Sequence, residues 1–203
     1  TGNISQLTTY PETLGVNTPD ETNANRHRPF ALASHQGKLW IGSVDENGTN
    51  AYVHSLLPTG TAFNLELTIP LDYDRQAFIL DAANPDASSN WNAWATTSDV
   101  PYVGEIFTDP PEIGYPQPIL SDIEFADNGD MILGFRDRFG DQSGAGVYLN
   151  PDETELTFSI SAGDILKACF QSGSFVLEGG GCTGTGGIGP SGPGGTEFYS
   201  WDV

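Results

Sequence analysis

Short apolar runs separated by turn-forming residues begin at Pro29. Phe30 to Ser34 is the first run and His35-Gln36-Gly37-Lys38 the first turn. Leu39 to Val44 is a second run, rich in β-formers and closed by Asp45-Glu46-Asn47-Gly48-Thr49-Asn50. Ala51 to Leu56 is a third, followed by Pro58-Thr59-Gly60, and Phe63 to Ile69 alternates apolar and polar positions. Period-two alternation bounded by Gly, Pro and Asn is the pattern of half-buried strands. It predicts four consecutive strands joined by tight turns, a four-stranded meander.

The rhythm lapses over 72–117, where Asp81 to Asp86 and Ser88 to Trp94 read as a long, partly ordered loop. Loops of that length are usually functional or flexible. The rhythm returns with a strand from Ile119 to Phe125, a hairpin turn at Ala126-Asp127-Asn128-Gly129-Asp130, and a return strand from Met131 to Phe135 that runs into Arg136-Asp137-Arg138-Phe139. An Asn-Gly step between apolar runs is a strong hairpin signal. After a loop from Gly140 to Gly146, the segments Gly163 to Phe170 and Ser174 to Glu178, split by a turn at Ser172-Gly173, complete a second meander. Gly163 to Phe170 also admits one helical turn, and no other helix is expected.

The expected organisation is a polar arm over 1–28, a β domain over 29–178 with its long loop at 72–117, and a segment over 179–203. That last segment is Gly-rich to residue 195, with Pro190 and Pro193, and ends in the strand-like run Glu197 to Val203. A chain that starts at Thr1 and stops inside a strand-like pattern reads as a processed product or a piece of a longer chain. The fold class is all-β.

Charge narrows the function classes. Asp and Glu number 27 against 7 Lys and Arg, a net charge of −20. Such a chain repels phosphate backbones and anionic bilayers, so no nucleic-acid partner and no membrane insertion are expected. The carboxylates serve either solubility by self-repulsion or hard cations, chiefly Ca²⁺. Cys169 and Cys182 are flanked by Gly-rich turns and are expected to form a disulfide in an oxidising compartment, or to remain thiols in the cytosol.

The segments Arg28 to Leu32, Gly37 to Gly42, Tyr115 to Phe125, Gly129 to Gln142 and Gly163 to Cys169 carry a family resemblance. They resemble the propeller-like region of large bacterial surface proteins, often joined to immunoglobulin-like or SdrD-type B repeats. The likeness covers about residues 26–178, and Gln117 to Gln142 is its most specific stretch. It implies an exported protein with a surface or structural role, β-propeller-like meander blades, and no catalytic residues to carry over. A closed propeller needs at least four four-stranded blades, so two meanders imply an incomplete propeller within a larger chain or assembly. Other copies or domains of the same surface protein would complete it, since open edge strands favour pairing between subunits.

Several groups are candidates for chemistry. Asp122 and Glu124 share one strand face, and Arg136 and Arg138 share a face of the partner strand, so register decides whether they form one polar network. Asp127 and Asp130, and Asp137 and Asp141, place carboxylates around Gly turns and are the candidate Ca²⁺ ligands, as the Asp45 turn is more weakly. None matches an EF-hand, and Asp-Asn-Gly turns also arise because those residues tolerate positive φ. Trp91 and Trp94 either stack a sugar ring or anchor their loop to the core. His27, His35 and His54 have no metal-ligand spacing. Asn3 and Asn47 sit in glycosylation sequons. The expected function is a non-enzymatic extracellular module for structure or adhesion. The alternatives are a carbohydrate-binding module or a metal-dependent propeller hydrolase.

Overall fold

The computed structural model describes residues 27–60, 62–75, 89–95, 112–143, 145–148, 157–159 and 161–182. The expected arm up to residue 26, Asn3, the Gly-rich run beyond residue 182 and the terminal strand-like run lie outside the described residues.

The first meander forms as its alternation predicts. Strands β1 (His27–His35), β2 (Lys38–Asp45), β3 (Asn50–Leu56) and β4 (Asn64–Pro70) pair in chain order, each antiparallel to the next. His35 pairs with Lys38 around a two-residue turn, with φ of 48° at Gln36 and 72° at Gly37. Two successive positive φ values make the turn type whose twist matches that of the flanking strands.

The second sheet contains β6 (Pro118–Phe125), β7 (Met131–Asp137), β10 (Asp164–Gln171) and β11 (Ser174–Leu177), ordered β6-β7-β10-β11 and antiparallel throughout. The Ser172-Gly173 turn repeats the geometry of the first, with φ of 52° and 90°. Gly163 to Phe170 therefore supplies a strand, not a helical turn: its alternate residues Asp164, Leu166 and Ala168 point into the core. A third, small sheet joins β5 (Glu112–Ile113), β8 (Ala145–Val147) and β9 (Thr157–Ser159). The strand expected to run on through Phe139 instead ends at Asp137 and turns into helix α1 (Arg138–Ser143).

The two meanders stack face to face, β1 against β6 and β4 against β11. Ala31, Trp40, Val44, Val53 and Ile69 from one face meet Leu120, Ile123, Met131, Leu133 and Leu166 from the other in one core. The sheets approach closely at Gly42, where a Cβ would stand 2.6 Å from a Leu120 methyl. The described residues are all-β apart from α1. The described strands make two four-stranded sheets and one three-stranded sheet, fewer than the four four-stranded blades of a closed propeller.

Candidate functional site

The segment following β4 does not leave the core. Leu71, Tyr73 and Arg75 are buried, and a second stretch, 89–95, returns beside them. Arg75 is fully enclosed (0% exposed). Its guanidinium lies 3.8 Å from the centre of the Trp91 ring and donates to the Ser89 carbonyl at 2.6 Å and to the Ala162 and Gly163 carbonyls. Its Nε stands 3.3 Å from the Asp164 carboxylate, which also accepts the Tyr73 hydroxyl, and Trp91 Nε1 donates to Tyr73 at 3.2 Å. Burial pushes the Asp164 pKa up, against the pull of Arg75 and of the Tyr73 hydrogen bond. Burial also raises Tyr73 well above 10, with Asp164 adding to it. A buried charge needs partners of this kind, because removing either side strands the other. The cluster is buried and clamps the loop onto the second sheet.

Trp94 is held likewise. Its indole N–H donates to the Pro118 carbonyl at 2.9 Å, Arg138 lies 4.7 Å from its ring centre, and Arg28 lies 5.8 Å from it. Trp91 is only 8% exposed. Both tryptophans thus anchor the loop. Sugar stacking needs an exposed ring face, and Trp91 has none because Arg75 and the core cover it.

Asp137 is the cap of α1. Its Oδ1 accepts the backbone N–H of Phe139 and of Gln117, each at 2.9 Å, and its Oδ2 accepts from Ala162 at 3.4 Å. A carboxylate at this position satisfies donors that the helix leaves free. Burial nevertheless raises its pKa to about 6, against the lowering effect of those N–H groups. Asp141 lies in the helix and pairs with Arg136 at 2.8 Å, so each of the two carboxylates has its own partners within the chain. The facing network of Asp122 and Glu124 with Arg136 and Arg138 does not form. Arg138 has left the strand for α1 and donates to Gln117 and to the Ala95 carbonyl, while Asp122 accepts the N–H of Ile123.

The opposite, hairpin end of the sheets carries an open cleft of about 250 Å³. Three turns surround it: Gln36-Gly37, Asp127-Asn128-Gly129 and the one at Gly173. Asp130 sets their relative positions. It is buried, accepts the N–H of Phe170 at 3.0 Å and the Asn128 amide at 2.9 Å, and pairs with Lys167 at 2.9 Å. Burial raises its pKa, but Lys167 and these N–H donors outweigh that and hold it below the usual carboxylate value. Asp127 stays exposed at the rim. Inside, Trp40 meets Phe175 edge-on at 5.7 Å, and Phe170 packs on Phe175 at 5.1 Å with half its surface free. Lys38 pairs with Glu66 at 3.3 Å and lies 5.3 Å from the Trp40 ring centre.

Among the described residues, no group of three or more His, Cys, Asp or Glu is placed to hold a metal ion. His27 stacks on Tyr52 at 4.4 Å and His35 on Phe125 at 3.9 Å, while His54 is buried. Burial, with the neighbouring His27 charge, lowers the His54 pKa to about 4. Cys169 and Cys182 are joined in a disulfide with Cα atoms 5.2 Å apart. Sequence reasoning missed Arg75, Tyr73, Asp164, Glu66 and Phe170. Arg75 left one signal, a cation beside an aromatic residue in a chain with only 7 Lys and Arg. Among the described residues, no helix is long and apolar enough to cross a membrane.

The chain is 34% identical over 187 residues to colossin-A of Dictyostelium discoideum, covering 85% of this chain and 1% of colossin-A. It is 28% identical to colossin-C, covering 87% of this chain and 16% of that protein. It is 30% identical to colossin-D, covering 77% of this chain and 14% of that protein, both from the same organism. The chain therefore spans less than a fifth of each of these relatives. No family model and no solved structure matches it. The resemblance to bacterial surface proteins is corrected by these findings: the relatives are eukaryotic, and nothing ties the chain to SdrD-type proteins.

Proposed function

We propose that this chain is a non-enzymatic extracellular module, serving structure or adhesion within a larger colossin-like protein. The observation that carries the reading is the Cys169–Cys182 disulfide, which ties the end of β10 to the segment after β11. Disulfides persist in oxidising compartments and are rare in the cytosol. The polar groups of the core support the same reading. Arg75, Asp164, Tyr73 and Asp137 are buried and spend hydrogen bonds on holding segments together. The finer architecture in this proposal is a pair of propeller-like blades, since two four-stranded meanders stacked face to face resemble neighbouring blades.

The test uses the full parent protein in its own cells, stained by antibody without permeabilisation and treated with a thiol-alkylating reagent. The expected result is surface or secreted signal, with Cys169 and Cys182 alkylated only after reduction. Intracellular signal with both thiols freely alkylated would overturn the proposal.

A further inference from the structure

We propose that the hairpin-end cleft binds the ring of a neutral sugar. The site is built from three turns that belong to both sheets, so its walls are set by the fold and not by a single loop. Two of those turns carry non-glycine residues at positive φ, Gln36 and Ser172, a conformation that holds the turn in one shape. Asp130 then fixes the third turn against β10 by accepting from Phe170 and pairing with Lys167. Such preorganisation reduces the ordering cost of binding.

The chemistry of the walls selects the ligand. Phe170 is 51% exposed and rests on Phe175, which gives one apolar platform. Gln36 and the exposed Asp127 supply amide and carboxylate groups around it, while Asn128 and Glu66 line it with their polar groups engaged by Asp130 and by Lys38 and Ser55. A pyranose has the same division, with a C–H face and a rim of hydroxyls that both donate and accept. A purely apolar ligand would strip water from the polar groups without replacing their hydrogen bonds. The volume, about 250 Å³, lies below the range of drug-sized sites and suits one ring.

Charge excludes the other small ligands. Lys38, paired with Glu66, already occupies the cation position near the Trp40 ring, so an added ammonium finds that ring face taken. An added anion meets Asp127 and a chain of net charge −20. A neutral, amphipathic ring avoids both penalties. Trp91 and Trp94, the aromatic pair that the sequence offered for this role, are spent on anchoring the loop.

The test is an amide-resolved NMR titration of the 203-residue chain with methyl glycosides of glucose, galactose, mannose and N-acetylglucosamine at millimolar concentration. At least one should move the amide signals of Gly37, Gly129 and Gly173 and the Trp40 indole signal. Phe170→Ala should then weaken binding by about three- to tenfold, and Asp127→Asn should weaken it without changing the melting temperature. The methyl glycoside of sialic acid and tetramethylammonium should leave those signals in place. Absence of shifts with all four neutral glycosides would overturn the proposal. So would shifts mapping elsewhere, affinity unchanged in both variants, or tighter binding of either charged probe. The cellular location and thiol test is independent of these outcomes, so failure here leaves the structural reading standing, and the reverse.

Discussion

The Arg75 guanidinium carbon lies over Trp91, 3.8 Å from its ring centre, and both side chains are buried. The arginine bridges two halves of the chain: its Nη atoms reach Ser89 on one side and Ala162 and Gly163 on the other. Arg75→Ala leaves Asp164 buried without its cation and opens a cavity above Trp91. The expected loss is about 3–5 kcal/mol of unfolding free energy in urea. Arg75→Met together with Asp164→Leu should recover much of it, because the pair is then replaced by apolar volume. A double variant no more stable than Arg75→Ala would show that the hydrogen bonds to the carbonyls, and not the ion pair, carry the clamp.

Close approach leaves little room for a side chain at several glycines, among them Gly42 and Gly48. A Cβ on Gly42 would meet Leu120 at 2.6 Å and Ala31 at 2.8 Å, and one on Gly48 would meet the Asn92 carbonyl oxygen at 2.4 Å. Gly48 also has φ of 66°. Gly42→Ala should cost about 1–3 kcal/mol through overpacking between the sheets. Gly48→Ala should cost at least as much, since the obstacle is main chain and cannot rotate away. Gly129→Ala, with open space around its Cβ, should cost less and only through its φ of 87°. Thermal unfolding of the three variants side by side tests the order.

The turns predict gains as well as losses. Gln36 and Ser172 hold positive φ in two-residue hairpins, where Asn and Gly are favoured. Ser172→Asn should stabilise the chain by about 0.5–1 kcal/mol, read as a raised melting temperature. A lowered melting temperature would mean that the serine hydroxyl makes a contact worth more than the backbone strain.

Two buried groups push pH dependence in opposite directions. The folded pKa of His54 is lowered from 6.5 to about 4, so its contribution is fully present above pH 6.5 and is lost as pH falls toward 4. Asp137 is raised from 3.8 to about 6, so its contribution is fully present below pH 3.8 and is lost as pH rises toward 6. The two partly cancel between pH 4 and 6. His54→Gln should therefore gain stability relative to the parent as pH falls through that window, and Asp137→Asn should gain as pH rises through it. Melting temperatures measured across the window check both signs.

The disulfide closes a loop of sequence separation 13, and its removal should cost about 3 kcal/mol. Cys169→Ser with Cys182→Ser should show this in urea titration. A chelator should not lower the melting temperature through Asp130, Asp137 or Asp141, whose carboxylates already pair within the chain. A fall in melting temperature on chelation would reveal a structural cation.

What the chain's own pattern determined is local. Alternation from Leu39 to Ile69, the Asn128-Gly129 step and the Ser172-Gly173 step specify strands, hairpins and antiparallel order, because each depends on neighbours only a few residues away. The disulfide was legible for the same reason, two cysteines on either side of a tight hairpin. What only the tertiary structure decided is which distant groups meet. Arg75 finds Asp164 and Trp94 finds Pro118 because a loop is trapped at the end of the stacked sheets, and Lys38 finds Glu66 across β3 because β2 and β4 flank it in one sheet. No periodicity encodes those meetings, since the energy of a buried charge depends on the whole enclosure around it. The same reason explains the early end of β7. Asp137 looked like one more strand residue, and it became a helix cap once pairing of β7 with β6 and β10 placed Gln117 and Ala162 within reach of its carboxylate.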